Sequence, residues 1–132
     1  MAVRQPLDDK VRDALSRPMT VVDISTSGRK SGQERRIEIV LHNIGGRLYI
    51  SGQPSRRRRS WLANLDANPK FTLHVKRGAR ADLPATAREI TDKKERRQVL
   101  EEVARHWKRD DVNTMVEYSP LIEVTVDGAP PS

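Results

Sequence analysis

The chain has 132 residues, with 25 lysines and arginines against 18 aspartates and glutamates, a net charge of +7 and an isoelectric point near 10.2. Its length points to one domain, and with 36% hydrophobic but only 4% aromatic residues the core must be aliphatic. The lack of cysteine excludes disulfides, thiolate catalysis and cysteine metal sites; no apolar run approaches the roughly 20 residues of a membrane span, and the N-terminus lacks the uninterrupted apolar stretch of a secretory leader.

Residues 8–16 read as a short amphipathic helix, with Val11, Ala14 and Leu15 on one face and Pro18 as the stop. The β-branched run 19–25 reads as a strand, and the glycines and hydroxyls of 26–32 as a loop. Residues 35–41 alternate: Ile37, Ile39 and Leu41 point one way, Arg36, Glu38 and Val40 the other. Asn43-Ile44-Gly45-Gly46 reads as a hairpin turn in which Gly46 supplies a positive φ, and 47–52 as the returning strand. Ser60 is the expected N-cap of a helix over 61–67, with Trp61 and Leu65 stacked on one face and Pro69 barring continuation. Residues 70–76 alternate as a half-buried strand. A further strand is expected over 81–90, at an edge because of Pro84. Asp92 is placed to cap a helix running to Trp107, with Glu95 at the capping-box position and Val99, Leu100, Val103 and Trp107 packing on the sheet. A turn or two of helix over 110–117, a last strand over 120–126 and a loose tail over 128–132 complete the chain.

Six mostly consecutive strands, each with one apolar face, predict a mainly β (α+β) domain, a closed or split β-barrel with a packed C-terminal helix. A doubly wound fold would need a helix after every strand.

The positive charge is clumped. Residues 28–36 carry +3, the four consecutive arginines 56–59 carry +4 and residues 76–80 carry +3, together more than the net charge of the chain. Such a field concentrates anions. Gly28-Arg29-Lys30-Ser31-Gly32 is not a Walker loop, since the spacing is wrong and no helix follows, yet its backbone N–H groups, hydroxyl and two cations suit a phosphate or carboxylates. In the second segment an indole and an amide, Trp61 and Asn64, sit on a helix start just after the arginines, a natural anion site. His42, His74 and His106 fit no metal-binding spacing and read as surface or strand residues; no Ser-His-Asp arrangement can be inferred.

Thr26-Ser27-Gly28-Arg29-Lys30-Ser31-Gly32-Gln33 with Arg35, followed at compatible distance by Trp61, Asn64-Leu65 and Ala67-Asn68-Pro69, resembles the deazaflavin-dependent nitroreductases, split-β-barrel proteins that use coenzyme F420. The resemblance covers residues 20–76 in order and is looser over 83–96. It implies that Arg29, Lys30 and Ser31 hold the cofactor's phosphate and acidic tail. Arg35, Arg36, Ile37, Glu38, Ile39 and Val40 would lie along the cofactor, and Ser51, Gly52, Gln53 and Pro54 beside the ring. Ser60, Trp61, Leu62, Ala63 and Asn64 would complete the phosphate pocket.

Three departures stand out. Glu38 replaces a common proline, Gln53-Pro54-Ser55 and the arginines replace a glycine-rich loop, and no tyrosine matches the substrate side, where Asp110 and Asp111 lie and Tyr118 is the nearest substitute. No catalytic residue is therefore assigned, and the chemistry belongs to the cofactor.

The function so implied is hydride transfer from reduced F420 to an electron-poor quinone, nitroaromatic or enone, by a cytoplasmic enzyme, at most peripheral to the membrane, with room for a homodimer. The rivals are the same barrel binding FMN, haem or a lipid, a non-catalytic cofactor carrier, and a nucleic-acid module. Five aromatic rings leave the last with little for base stacking.

Overall fold

The structure is a computed structural model and describes residues 8–28 and 30–127. The N-terminal arm before Asp8, Arg29 and the tail over 128–132 lie outside the described residues. The elements run α1 (Asp9–Leu15), β1 (Met19–Ser27), β2 (Glu34–Ile44), β3 (Arg47–Ser51), α2 (Ser60–Ala67), β4 (Lys70–Val75), β5 (Ala81–Glu89), α3 (Lys93–Trp107), α4 (Val112–Tyr118) and β6 (Leu121–Val126). The six strands close into a barrel in the order β1-β2-β3-β6-β5-β4, every pair antiparallel.

The alternation read from the sequence sets the register. Val22, Ile24, Leu41, Ile50, Phe71, Leu73, Val75, Ile122 and Val124 fill the barrel, an aliphatic core with one phenyl ring. Two helices stopper its two ends. Val11, Ala14 and Leu15 of α1 join this core, and the Asn43 amide donates to the Leu15 carbonyl at the hairpin end. Trp61, Leu62 and Leu65 of α2 join it too, and the Asn64 amide donates to Thr26 Oγ1 (3.1 Å) where β1 ends. A second cluster lies outside, where Val99, Leu100, Val103 and Ala104 of α3 and Met115 and Val116 of α4 cover Tyr49, Ile90 and Leu121. Arg96 locks this layer: its buried guanidinium donates to the carbonyls of Ile90, Met115, Val116 and Ser119. Among the described residues no helix is long and apolar enough to cross a membrane.

Several expectations need correction. Thr26 and Ser27 belong to β1, because the β1–β2 ladder zips down to Ser27 opposite Glu34. Gly52, Lys76, Ile90 and Pro120 fall just outside their strands. Ser60 is the first helical residue of α2 and not its cap; the Arg59 carbonyl accepts the first intrahelical bond, from Ala63 N–H. The closed barrel has no edge strand, yet Pro84 stands at a local edge: it pairs with Thr72 one residue before the β6 ladder begins, and its carbonyl accepts from Asp127 N–H. Asp92 caps α3 through Glu95 N–H, but the Glu95 carboxylate bonds Arg88. The hairpin turn is Gly45-Gly46, both at positive φ (62° and 85°), the two-residue turn whose twist suits a hairpin.

Candidate functional site

One stretch of the barrel wall is unpaired. Strand β2 pairs with β1 over Glu34 to His42, but with β3 only over Leu41 to Ile44. The side of residues 34–40 that faces away from β1 therefore meets no strand. The chain after β3 does not cover it: Ser55 N–H bonds the Tyr118 carbonyl, the Arg59 guanidinium donates to the Gln53 carbonyl, and Gly52 sits against Pro120 and Arg59. The 52–59 loop thus folds toward α4 and leaves the mouth beside β2 open.

The side chains of this free segment divide by parity. Arg35, Ile37 and Ile39 share the barrel-facing side; Ile37 and Ile39 are half-buried against the core. Arg36, Glu38 and Val40 face outward. Arg36 pairs with Asp23 (3.0 Å), and Lys76 bridges Asp23 (2.7 Å) and Glu38 (2.6 Å). The Lys76 ammonium, with Arg36 beside it, holds the Asp23 carboxyl below its usual range. Glu38 is thereby a member of an ion-pair network.

At the end of this edge the loop between β1 and β2 closes on itself. Gly28 N–H donates to the Gln33 carbonyl, Gly32 N–H to the Gly28 carbonyl, and Gln33 N–H to Ser31 Oγ. Gly32 has φ +72°, a conformation that suits glycine. Lys30 and Arg35 are exposed and have no ion-pair or hydrogen-bond partner among the described residues. Two cations at the end of a half-buried apolar shelf, beside an unpaired strand edge, suit a long ligand with an anionic part and a flat apolar part.

The other sequence-predicted residues are distributed unevenly. Ser51 is buried and donates to the Pro120 carbonyl. Gln53 is exposed, and Gly52 and Pro54 are half-buried. Trp61 and Leu62 lie in the barrel core, Asn64 is buried on Thr26, Ala63 is half-buried and Ser60 exposed. Trp61 and Asn64 therefore set the position of α2 beside the mouth. The arginine run is partly engaged. Arg58 pairs with Glu89 (3.0 Å) and Asp66 (2.8 Å), and the Arg56 guanidinium stacks over the Tyr118 ring (5.5 Å).

Sequence reasoning missed the histidine environments. His42 and His74 are in strands, as expected, but buried and not on the surface. His42 Nδ1 meets His106 Nδ1 (2.9 Å) with the rings stacked, and Trp107 lies edge-on. His74 links Ser25 Oγ to Asp82 Oδ1, both at 2.7 Å. That connectivity matches a hydrolytic triad. Yet Ser25 is only 4% exposed and laddered on both sides, so a substrate carbonyl has no route to it. Ser25 and His74 are 49 residues apart in sequence, on β1 and β4, and only the register reveals them as neighbours. Among the described residues no group of three or more His, Asp or Glu could hold a metal ion.

The sequence matches the family described as F420H(2)-dependent quinone reductase over residues 5–128. Solved structures share the fold. One titled an F420-H2 dependent reductase (FDR-A) is 22% identical and superposes with a TM-score of 0.58 over 83% of this chain and 95% of that one. A candidate 5-nitroimidazole antibiotic resistance protein from Bacteroides thetaiotaomicron is 16% identical, with a TM-score of 0.66 over 92% and 81% of the two chains. The haem storage protein HutZ from Vibrio cholerae is 12% identical, with a TM-score of 0.65 over 93% and 92%. These likenesses show the fold, which alone does not name a ligand.

Proposed function

We propose that this chain, which belongs to the F420H(2)-dependent quinone reductase family, lays its cofactor along the open edge of β2. The enzyme is an F420H2-dependent oxidoreductase, and when bound the deazaflavin supplies the hydride that reduces a quinone-type acceptor. In our reading Lys30 and Arg35 hold the phosphate and the first carboxylates of the acidic tail. Ile37 and Ile39 form the apolar shelf under the ring system, and the unpaired backbone groups of 34–40 are available to its polar edge. Ser51 fixes the end of β3, and the half-buried Gly52 and Pro54 border the ring end. Trp61 and Asn64 hold α2 in place as the far wall and exclude water from that side. Arg36 and Glu38, which face outward in ion pairs, act by stiffening the strand.

One observation carries the reading: the free edge joins a half-buried apolar shelf to two cations that nothing else in the described structure engages. FMN ends at one phosphate, whereas the deazaflavin continues into carboxylates beyond it, so the longer ligand offers the two cations more anionic groups. The test is a binding titration of F420 and FMN against the wild type and Lys30→Ala/Arg35→Ala. Charge-assisted contacts contribute about 1.5–3 kcal/mol each, so the double variant should bind F420 at least tenfold more weakly, with an unchanged melting temperature. Wild-type affinity for FMN equal to or above that for F420, or unaltered F420 affinity in the double variant, would overturn the assignment.

A further inference from the structure

A cavity of about 330 Å³ lies on the other flank of α2, between the arginine loop and the end of α4. Its apolar wall is Leu62, Ile90 and Pro120; its rim is Tyr118, 41% exposed, with Arg56 stacked on the ring. Ser119 also lines it, and the Ser119 hydroxyl is buried with no hydrogen-bond partner, a polar group left unsatisfied at the wall.

The charges facing this space can be accounted for one by one. Arg58 is neutralised by Glu89 and Asp66, and Glu117 pairs with Lys93. Arg59 donates to the Gln53 carbonyl, and Arg96 is consumed by four carbonyls. Arg56 and Arg57 remain, their guanidiniums bonded to neither a carboxylate nor a carbonyl among the described residues. The cavity therefore combines an apolar wall, an aromatic rim and two guanidiniums that no protein acceptor engages.

We infer that this cavity is a binding site for a planar aromatic carboxylate of one or two rings. The volume sits at the small end of the ligand-pocket range of roughly 300–1,000 Å³, which suits such a molecule and not a dinucleotide. A guanidinium presents paired N–H groups in the geometry of a carboxylate, so Arg57 supplies the anion contact. Tyr118 and Leu62 take the ring between them. The site needs no cofactor, so its test is independent of the reading above.

The test is isothermal titration calorimetry on the full chain with three probes: 2-naphthoate, its neutral isostere 2-naphthamide, and γ-glutamylglutamate, which has carboxylates but no ring. Naphthoate should bind at least tenfold more tightly than naphthamide, and γ-glutamylglutamate should not bind measurably. Arg57→Gln should abolish the preference for the anion. Arg57 is exposed and makes no side-chain contact that the fold depends on, so this variant will be folded. Lys94→Gln, the same loss of charge on an exposed helical residue outside the cavity, should leave all three isotherms unchanged. Equal affinity for naphthoate and naphthamide, or an unaltered isotherm in Arg57→Gln, overturns the inference. Binding of γ-glutamylglutamate as tight as naphthoate overturns it as well, and returns the arginines to the acidic tail of the cofactor.

Discussion

Acid should unfold this protein in two stages, and the first belongs to His42. Its ring is completely buried where α3 crosses β2, Nε2 has no partner, and Nδ1 contacts His106. Burial first, and His106 second, push its pKa down from 6.5 to about 4. The sign follows from proton counting. Between pH 6.5 and 4 the unfolded chain binds a proton that the folded chain refuses, so stability is whole above pH 6.5 and is lost as pH falls toward 4. The difference of about 2.5 pKa units corresponds to about 3 kcal/mol, or on the order of 10 °C in melting temperature for a domain of this size. The second stage lies lower, where Asp23, Asp82, Glu95 and Asp111, whose pKa values are depressed by Lys76, His74, Arg88 and Arg109, take up protons. His42→Leu, close in volume and free of the orphaned nitrogen, should remove the first stage and keep the second. Urea titrations of both proteins at pH 7.5, 5.5 and 4.5 measure it. If the two lose stability in parallel over that range, or if the His42 ring titrates near 6.5 by NMR, the reasoning is wrong.

Replacing Arg96 with methionine takes a donor from four buried carbonyls, of which that of Met115 still accepts from Ser119 N–H, and should cost about 3 kcal/mol or more by urea denaturation, while Arg96→Lys recovers only part because one ammonium cannot serve four divergent acceptors. A double-mutant cycle on Asn64→Ala and Thr26→Val should give a coupling of about 1 kcal/mol if their bond ties α2 to the barrel mouth; strict additivity would refute that tie.

Much of the barrel was legible because its signals are local. Alternation gave the inner faces of β2 and β4, the Gly45-Gly46 pair gave the hairpin, and Asp92 gave the start of α3. Element ends were less legible, because they are decided by partners. β1 extends to Ser27 only because Glu34 lies opposite, and α2 begins at Ser60 because the Arg59 carbonyl takes the first helical bond. Pro84 sits where the β5–β6 ladder has not yet begun, a boundary that β6 decides.

The site divides along the same line. Residue types disclosed an anion-binding loop and an apolar strand, but not which cations are engaged. Arg36 and Arg58 look in the sequence like Arg35 and Arg57, and they differ because Arg36 reaches Asp23 diagonally across the β1–β2 ladder and Arg58 has Glu89 and Asp66 beside it. A basic run of four therefore offers two free guanidiniums, not four. His42 and Ser25 were equally unreadable, since their partners His106 and His74 are 64 and 49 residues away in sequence. Composition fixes how much charge a surface carries, but the register decides which of it is available to a ligand. In this barrel two such places flank α2: the end of the open β2 edge, and the cavity beside Tyr118.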